Sequence, residues 1–323
     1  VIPARIVATA SHLPGPPVPN SDLAAALGGL DPAVLEGKTG IATRHWITPG
    51  TTASSMGAKV LREALDRAGL RPVDLARVIF VSTSGGDHLC PATANDVCLA
   101  LDLDGSCDCF DVNNACMGFL SALDIAARSV ATGMGPVGIV VVETLSPFLS
   151  PENPRPYLVV GDAAAAAVIG PGRPGEGILA IRMGNRGRLN GSVTIGHPGL
   201  SGARELIQFA ASHNDLTAFA TAALKDSTDA VLRDAGCTLD DVDWVLTHQP
   251  NGRMLERIVE HLGVPAHKVV PVVREIGSVA AASIPVSLDR LYRTRDVRPG
   301  HKVLLAGVGA GMSYGAALYQ VAP

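Results

Sequence analysis

The sequence predicts an α/β fold assembled from two halves of one design, and three observations carry that prediction. Unbroken apolar runs, Val78–Ser82 and Ile139–Glu143 among them, end at small or polar residues as strands buried on both faces do. Between such runs lie segments with apolar residues at helical spacing, for example Leu61, Ala64, Leu65 and Ala68. Third, Asp66-Arg67-Ala68-Gly69-Leu70, followed by Asp74-Leu75 and Val78-Ile79, aligns without a gap onto Arg233-Asp234-Ala235-Gly236-Cys237, Asp241-Val242 and Val245-Leu246. Later, Ser121-Ala122-Leu123-Asp124 is answered by Val286-Ser287-Leu288-Asp289. A shift of roughly half the chain between partners suggests a duplicated β-α-β-α unit. Chance matches in an alanine-rich chain are the other reading. The halves are expected at 1–172 and 173–323, divided in the Pro/Gly-rich stretch Pro171 to Gly177.

The individual elements follow from the same signals. Val1–Thr9 reads as an edge strand, and His12 to Asn20, with four prolines, as loop. Ser54–Ala68 and Ala92–Leu101 read as helices, and Val78–Ser82 as a buried strand leaving the sheet at Thr83-Ser84-Gly85-Gly86. Gly161-Asp162-Ala163 opens an alanine-rich strand through Val168.

Composition narrows the class of protein. At 323 residues, 47% hydrophobic, 17% charged and 4% aromatic, the chain is globular, with a core filled mostly by Ala, Val, Leu and Ile. A net charge of −4 argues against a nucleic-acid surface. No apolar run approaches the ~18 residues of a membrane span, and the N-terminus lacks the pattern of a signal peptide. The six cysteines, Cys90, Cys98, Cys107, Cys109, Cys116 and Cys237, contain no C-x-x-C pair and are too few for a disulfide framework. Free thiols in a cytoplasmic protein, with no metal site, are the expectation.

Chemistry concentrates in four places. Asp111 to Phe119 closes on Cys116 ahead of a helix whose Phe119, Leu123, Ala126 and Val130 share one face. A cysteine in the first turn of such a helix sits at the positive end of the macrodipole, where a thiolate is favoured and the sulfur becomes a nucleophile. A plain buried cysteine fits the spacing equally well. His248, leaving a buried strand ahead of Gln249-Pro250-Asn251, is placed to move a proton near neutral pH, or simply to cap its strand. Gly277 to Pro285 is a tight loop entering a small-residue helix, with Ser278 either in a pocket or capping that helix. Gly307 to Gly315 follows the strand Val303–Ala306. Too little chain remains for a dinucleotide fold, so exposed backbone N–H groups near a reacting carbonyl are the better use of its glycines. If the two halves meet across a pseudo-twofold axis, Cys116 and His248 share one crevice.

These motifs together resemble the β-ketoacyl-acyl-carrier-protein synthase III group of the thiolase superfamily. The likeness rests on Asn114-Ala115-Cys116-x-Gly118-Phe119, His248-Gln249-x-Asn251-x-Arg253, Gly277-x6-Ile284-Pro285 and the terminal glycine loop, with Lys38-Thr39-Gly40-Ile41 and Gly161-Asp162 in support. It covers nearly the whole chain and is weakest from Gly184 to Ala222. The resemblance implies a five-layer α-β-α-β-α thiolase-like fold, a homodimer, and no permanently bound cofactor. Acyl-CoA or a phosphopantetheinyl acyl-carrier protein would be the substrate. Cys116 would take the acyl group as a thioester, with its own N–H and that of Ala310 as oxyanion hole. Lys38, Arg253 and Asn251 would line the pantetheine entrance.

Two departures bear on function. Where the family has a catalytic asparagine in Gly-Asn-Thr-Ser, this chain has Gly277-Ser278-Val279-Ala280. Losing a donor aimed at developing charge costs about 2.7–4 kcal/mol, so an acyltransferase is expected. It would pass the acyl group from Cys116 to an oxygen, nitrogen or sulfur acceptor, with His248 as base and Ser278 beside it, as in the antibiotic-pathway branch of the family. Decarboxylative condensation, thioester hydrolysis and a non-catalytic docking role are the alternatives. Cys90 stands where chain-initiating relatives commonly carry a phenylalanine that reaches into the partner's acyl pocket. Its small side chain implies room for a bulky acyl group, an aromatic one included.

Overall fold

Two mixed sheets form the frame, and each repeats the strand order of the other. A computed structural model describes residues 1–201 and 206–322. Its first half runs β1 (Ala4–His12), α1 (Ala53–Ala68), β2 (Arg77–Val81), α2 (Thr93–Ala100), β3 (Asp108–Val112), α3 (Gly118–Ala131), β4 (Val137–Glu143) and β5 (Ala163–Pro171). The second runs β6 (Gly177–Asn185), α4 (His213–Ala235), β7 (Trp244–Thr247), α5 (Gly252–Leu262), α6 (Ser283–Thr294), β8 (Lys302–Gly309) and β9 (Ser313–Gln320). The first sheet has the order β1-β5-β4-β2-β3 and the second β6-β9-β8-β7. In both, the first two pairings are antiparallel and the rest parallel. Where the first sheet has β3, the second has a parallel bridge from Val245 to Val269.

Alternation along the strands builds five layers. Ile79, Val81, Ile139 and Val141 face a shared core with Phe119 and Leu123 of α3, Ile284 and Leu288 of α6, and Leu246, Val303 and Leu305 of the second sheet. Val78, Phe80, Val140 and Val142 point the other way, against Leu61 and Leu65 of α1 and Val97 of α2. Val245, Leu304 and Ala306 likewise meet Leu224 of α4 and Leu255 and Ile258 of α5. Helices α3 and α6 are thus sandwiched between two sheets whose outer faces carry α1 with α2 and α4 with α5.

The repeated residues do the same work twice. Gly69 and Gly236 end α1 and α4 in the left-handed region, at φ 67° and 66°, where only glycine is unstrained. Asp74 and Asp241 then accept the backbone N–H groups of Arg71 and Thr238 at 2.8 and 2.7 Å, closing a short turn into β2 or β7. The first strand is shifted from the sequence expectation rather than lengthened: β1 starts at Ala4 and continues to His12, because β5 offers it partners as far as Ala164. The proline-rich stretch is not all loop either. Pro17–Pro19 pairs antiparallel with Thr43–His45, an edge ribbon in which prolines forfeit little. Among the described residues, no helix is long and apolar enough to cross a membrane, and no cluster of His, Cys, Asp and Glu is arranged to hold a metal.

Candidate active site

Cys116 lies at the end of the chain's path out of the first sheet. β3 stops at Val112, and Asn113 and Asn114 brace the turn that follows. Asn113 Oδ1 accepts the N–H of Ala115 at 3.1 Å, and Asn114 Nδ2 donates to Ser121 Oγ at 2.9 Å. Ala115 is held at φ 45°, in the sparsely populated left-handed region. Cys116 itself occupies a 3-10 turn, Ala115–Met117, that runs into α3. The second half comes close to it at Gly309, the last residue of β8: a Cβ there would lie 3.0 Å from Cys116 N. Backbone hydrogen bonds from Ala310 and from Cys116 itself reach the sulfur and favour its anionic form. These two N–H groups are the pair named above as an oxyanion hole, and each half of the molecule contributes one.

His248 follows β7, its N–H donating to Ala306 O of the neighbouring β8 at 2.9 Å. Gln249 anchors this strand end. Its amide donates to Val270 O and Ser287 Oγ and accepts the N–H groups of Val272 and Val273, so the residue is fully buried yet satisfied. The imidazole, 4% exposed, has Nδ1 3.3 Å from Ser283 Oγ and a backbone hydrogen bond with Ala280.

Ser278 is held from below. Its N–H donates to Val159 O at 2.7 Å, and its carbonyl accepts from Gly161 N at 3.0 Å. Its hydroxyl has no protein partner among the described residues and borders the same cavity as Cys116 and His248. Asp162, next to Gly161, accepts from Ile47 N, Leu145 N, Ser146 N and Ser146 Oγ, fixing the segment that carries Leu145 to the cavity wall.

One cavity of about 830 Å³ joins these groups. Leu145, Val160, Ile207 and Ala280 pack around Cys116 as an apolar cluster. Lys38, Asn251 and Met254 line another part of the wall, brought together where Gly40 and Gly252 cross so closely that a Cβ on either would lie 2.7 Å from the other's backbone. Asn251 does a second job, capping α5 by accepting Met254 N at 2.8 Å. Arg253 is outside the cavity lining: it donates to Gly37 O at 2.8 Å and pairs with Glu256. Cys90 is exposed on the loop before α2 and does not border its own chain's cavity.

The electrostatics correct one expectation. A thiolate favoured by the helix dipole is not the resting state of Cys116. Burial, with Glu143 beside it, pushes the thiol up to about 12, and the two N–H donors do not offset this. Its partly exposed surface borders the cavity. His248 moves the opposite way: burial pulls it down to about 4, so the imidazole is neutral. The resting pair is therefore thiol and neutral imidazole, and the histidine has an open site for a proton.

Sequence reasoning missed two features. Glu143 ends β4 fully buried, and burial raises it to about 8 despite hydrogen bonds from Thr83 and Ala281. A glutamate closing an otherwise apolar strand was the available signal. The other is the cavity wall formed by Val193, Thr194, Ile195, Ile207 and Phe209, which falls where the motif likeness is weakest. Residues 202–205 of that stretch lie outside the described residues.

Known proteins resemble this chain in sequence and fold. Residues 110–187 match the family model for 3-oxoacyl-[acyl-carrier-protein (ACP)] synthase III, and residues 232–321 match that for its C-terminal part. β-Ketoacyl-[acyl-carrier-protein] synthase III of Rhizorhabdus wittichii is 33% identical over 97% of this chain and 98% of its own length. A Streptomyces coelicolor protein of the same name, numbered 3, is 33% identical over 95% and 94%. Among solved structures, the Aquifex aeolicus 3-oxoacyl-[acyl-carrier-protein] synthase III superposes with a TM-score of 0.91 at 29% identity, covering 98% of this chain and 99% of that one. The priming β-ketosynthase of the R1128 polyketide pathway gives 0.89 at 28%, covering 99% and 96%. With fold, motifs and relatives in agreement along nearly its full length, the chain belongs to the β-ketoacyl-acyl-carrier-protein synthase III family.

Proposed function

We propose that the chain loads an acyl group onto Cys116 from an acyl-carrier-protein or CoA thioester and then releases it to a second substrate. The observation that carries this reading is the placement of the Cys116 sulfur against two converging N–H groups, in one cavity with a neutral His248. In loading, Sγ attacks the thioester carbonyl while its proton passes to His248. The tetrahedral oxyanion is held by the N–H groups of Cys116 and Ala310. On collapse, the C–S bond to pantetheine breaks and His248 returns the proton to the departing thiolate.

For the second half, the relatives favour carbon–carbon bond formation. Similar curated proteins from Rhizorhabdus, Sphingopyxis, Streptomyces and Neisseria carry the name β-ketoacyl-[acyl-carrier-protein] synthase III, which favours condensation over the heteroatom transfer that the sequence put first. In that reaction His248, having taken a proton from solvent, and Ser278 Oγ–H donate to the carbonyl of a malonyl thioester as CO₂ leaves. The resulting enolate carbon attacks the acyl-Cys116 carbonyl, the C–S bond to Cys116 breaks, and the departing thiolate takes the proton from His248.

Ser278 favours a second reading. It offers one short, rotatable donor where the family motif has an amide, and loading needs no donor at that position. An alcohol, amine or thiol acceptor, deprotonated by His248, then takes the acyl group without loss of CO₂. Mixing acyl-enzyme with malonyl-carrier protein separates the two. CO₂ release with a β-ketoacyl product supports condensation, whereas acyl-enzyme that discharges to a heteroatom acceptor and ignores malonyl supports the second. If no acyl group appears on Cys116 by intact mass, the proposal as a whole fails.

A further inference from the structure

We infer that Glu143 is a positioning residue for His248, acting through the single peptide unit that joins Ala280 to Ala281. The inference rests on the acyl-Cys116 reading and adds to it a member that stands outside the cavity. Glu143 sits at the end of β4, 0% exposed, and its oxygens accept from Thr83 and Ala281. Thr83 donates to it from Oγ1 at 2.7 Å and from its N–H, and Ala281 N–H donates to Oε1 at 3.1 Å. On the far side of that peptide, His248 makes its backbone hydrogen bond with Ala280, one that favours the protonated ring. An N–H donor would oppose protonation, so the partner is the Ala280 carbonyl. That C=O and the N–H of Ala281 are two ends of one planar, resonance-coupled amide.

The consequences follow from electrostatics. Negative charge at the N–H end draws electron density toward the carbonyl oxygen, which then holds the imidazole N–H more strongly and steadies the imidazolium formed in loading. The unit is also strained: Ala280 sits at φ 40°, a left-handed conformation that a residue with a Cβ rarely adopts. Glu143 grips the next N–H and keeps the turn there. The carboxylate is faced by Asp162, Cys116 and Thr83. Burial raises the Asp162 carboxyl while four donors already engage it and oppose that rise.

The test follows Cys116 in two ways across pH 6–9.5: acylation by an acyl-thioester, and alkylation by iodoacetamide. The parent's acylation rate should inflect near pH 8 as Glu143 ionises. Glu143→Gln should lose that inflection and lower the limiting acylation rate about tenfold, the effect of one pKa unit, with KM changed by less than about twofold. It should also alkylate at lower pH, because the anion beside the thiol is gone. Glu143→Asp, which keeps the charge, should retain an inflection and recover part of the rate; it decides the matter if Glu143→Gln does not fold. The inference is overturned if folded Glu143→Gln keeps the parent's profile, or if Glu143→Asp shows no inflection. Loading that is normal and pH-insensitive in every variant sinks the relay and leaves the acyl-enzyme reading standing. A parent that alkylates but never acylates sinks the acyl-enzyme reading, and the alkylation profiles still judge the relay.

Discussion

Gly309→Ala perturbs the site at the point where its two halves touch. The backbone at Gly309, φ −139° and ψ 174°, is extended and open to any residue, so the methyl adds no conformational strain. Its cost comes from contact alone. The new Cβ would stand 3.0 Å from Cys116 N, 3.2 Å from its Cβ and 3.3 Å from its Cα. Ordinary van der Waals contact begins near 3.4 Å, so Cys116 or the Gly309-Ala310 backbone must yield by a few tenths of an ångström. Oxyanion donors work within about 2.7–3.1 Å of the developing charge, a window of similar width to the displacement. Misplacing one donor costs about 10²–10³ in rate, whereas overpacking by one methyl costs about 1–3 kcal/mol of stability. Rapid-quench measurement of Cys116 acylation, with the melting temperature taken in parallel, reads both quantities. A folded Gly309→Ala protein that acylates at the parent's rate would refute the claim that Cys116 N and Ala310 N form a donor pair.

Three further outcomes are expected. Ser278→Asn should raise malonyl decarboxylation by about 10²–10³ if the missing amide limits condensation; equal CO₂ release before and after would mean the serine suffices. His248 is pulled from 6.5 to about 4 in the folded chain. The unfolded chain therefore binds the extra proton first, and about 3 kcal/mol of stability present above pH 6.5 is lost as pH falls to 4. Denaturant titrations at pH 7.5 and 4.5 should show that loss in the parent and less of it in His248→Asn. Removing the cap of α5 with Asn251→Ala should lower stability by about 1 kcal/mol and raise KM for the acyl donor, since Asn251 also borders the cavity; an unchanged KM would assign it to capping alone.

How much could be read from the sequence depended on what kind of constraint each residue obeys. Cys116, His248 and Ala310 follow strand ends and Ser278 lies in a tight loop between helical turns, places where a short motif is forced by local geometry, and the cavity brings all four together. The duplication was legible because helix ends need particular residues: a glycine at 69 and 236, an aspartate at 74 and 241. The wall at Val193–Ile195 and Ile207–Phe209 obeys no period. It is short strands and turns whose side chains are set by what the cavity must hold. The protonation state of Cys116 was misjudged for a related reason. Dipole and donors are local and readable, but the burial that outweighs them comes from Glu143 and the apolar cluster, which converge from distant segments.

That misjudgement bears on how the site works. A preformed thiolate would face a buried glutamate and an apolar wall, and its two N–H donors do not offset that cost. A thiol beside a neutral imidazole avoids that cost until a thioester arrives. In the proposed loading step negative charge appears only then, on the sulfur as its proton passes to the ring, and next on the carbonyl oxygen, where one N–H from each half would receive it. On the proposed reading the two halves divide the labour: the first would hold the nucleophile Cys116 beside the buried Glu143, and the second would supply His248 as base, Ser278 and Ala310. Charge is stabilised at the moment it forms rather than stored in the resting protein. A resting enzyme that alkylates with iodoacetamide as readily at pH 6 as at pH 9 would contradict this account, because it would show a thiolate already in place.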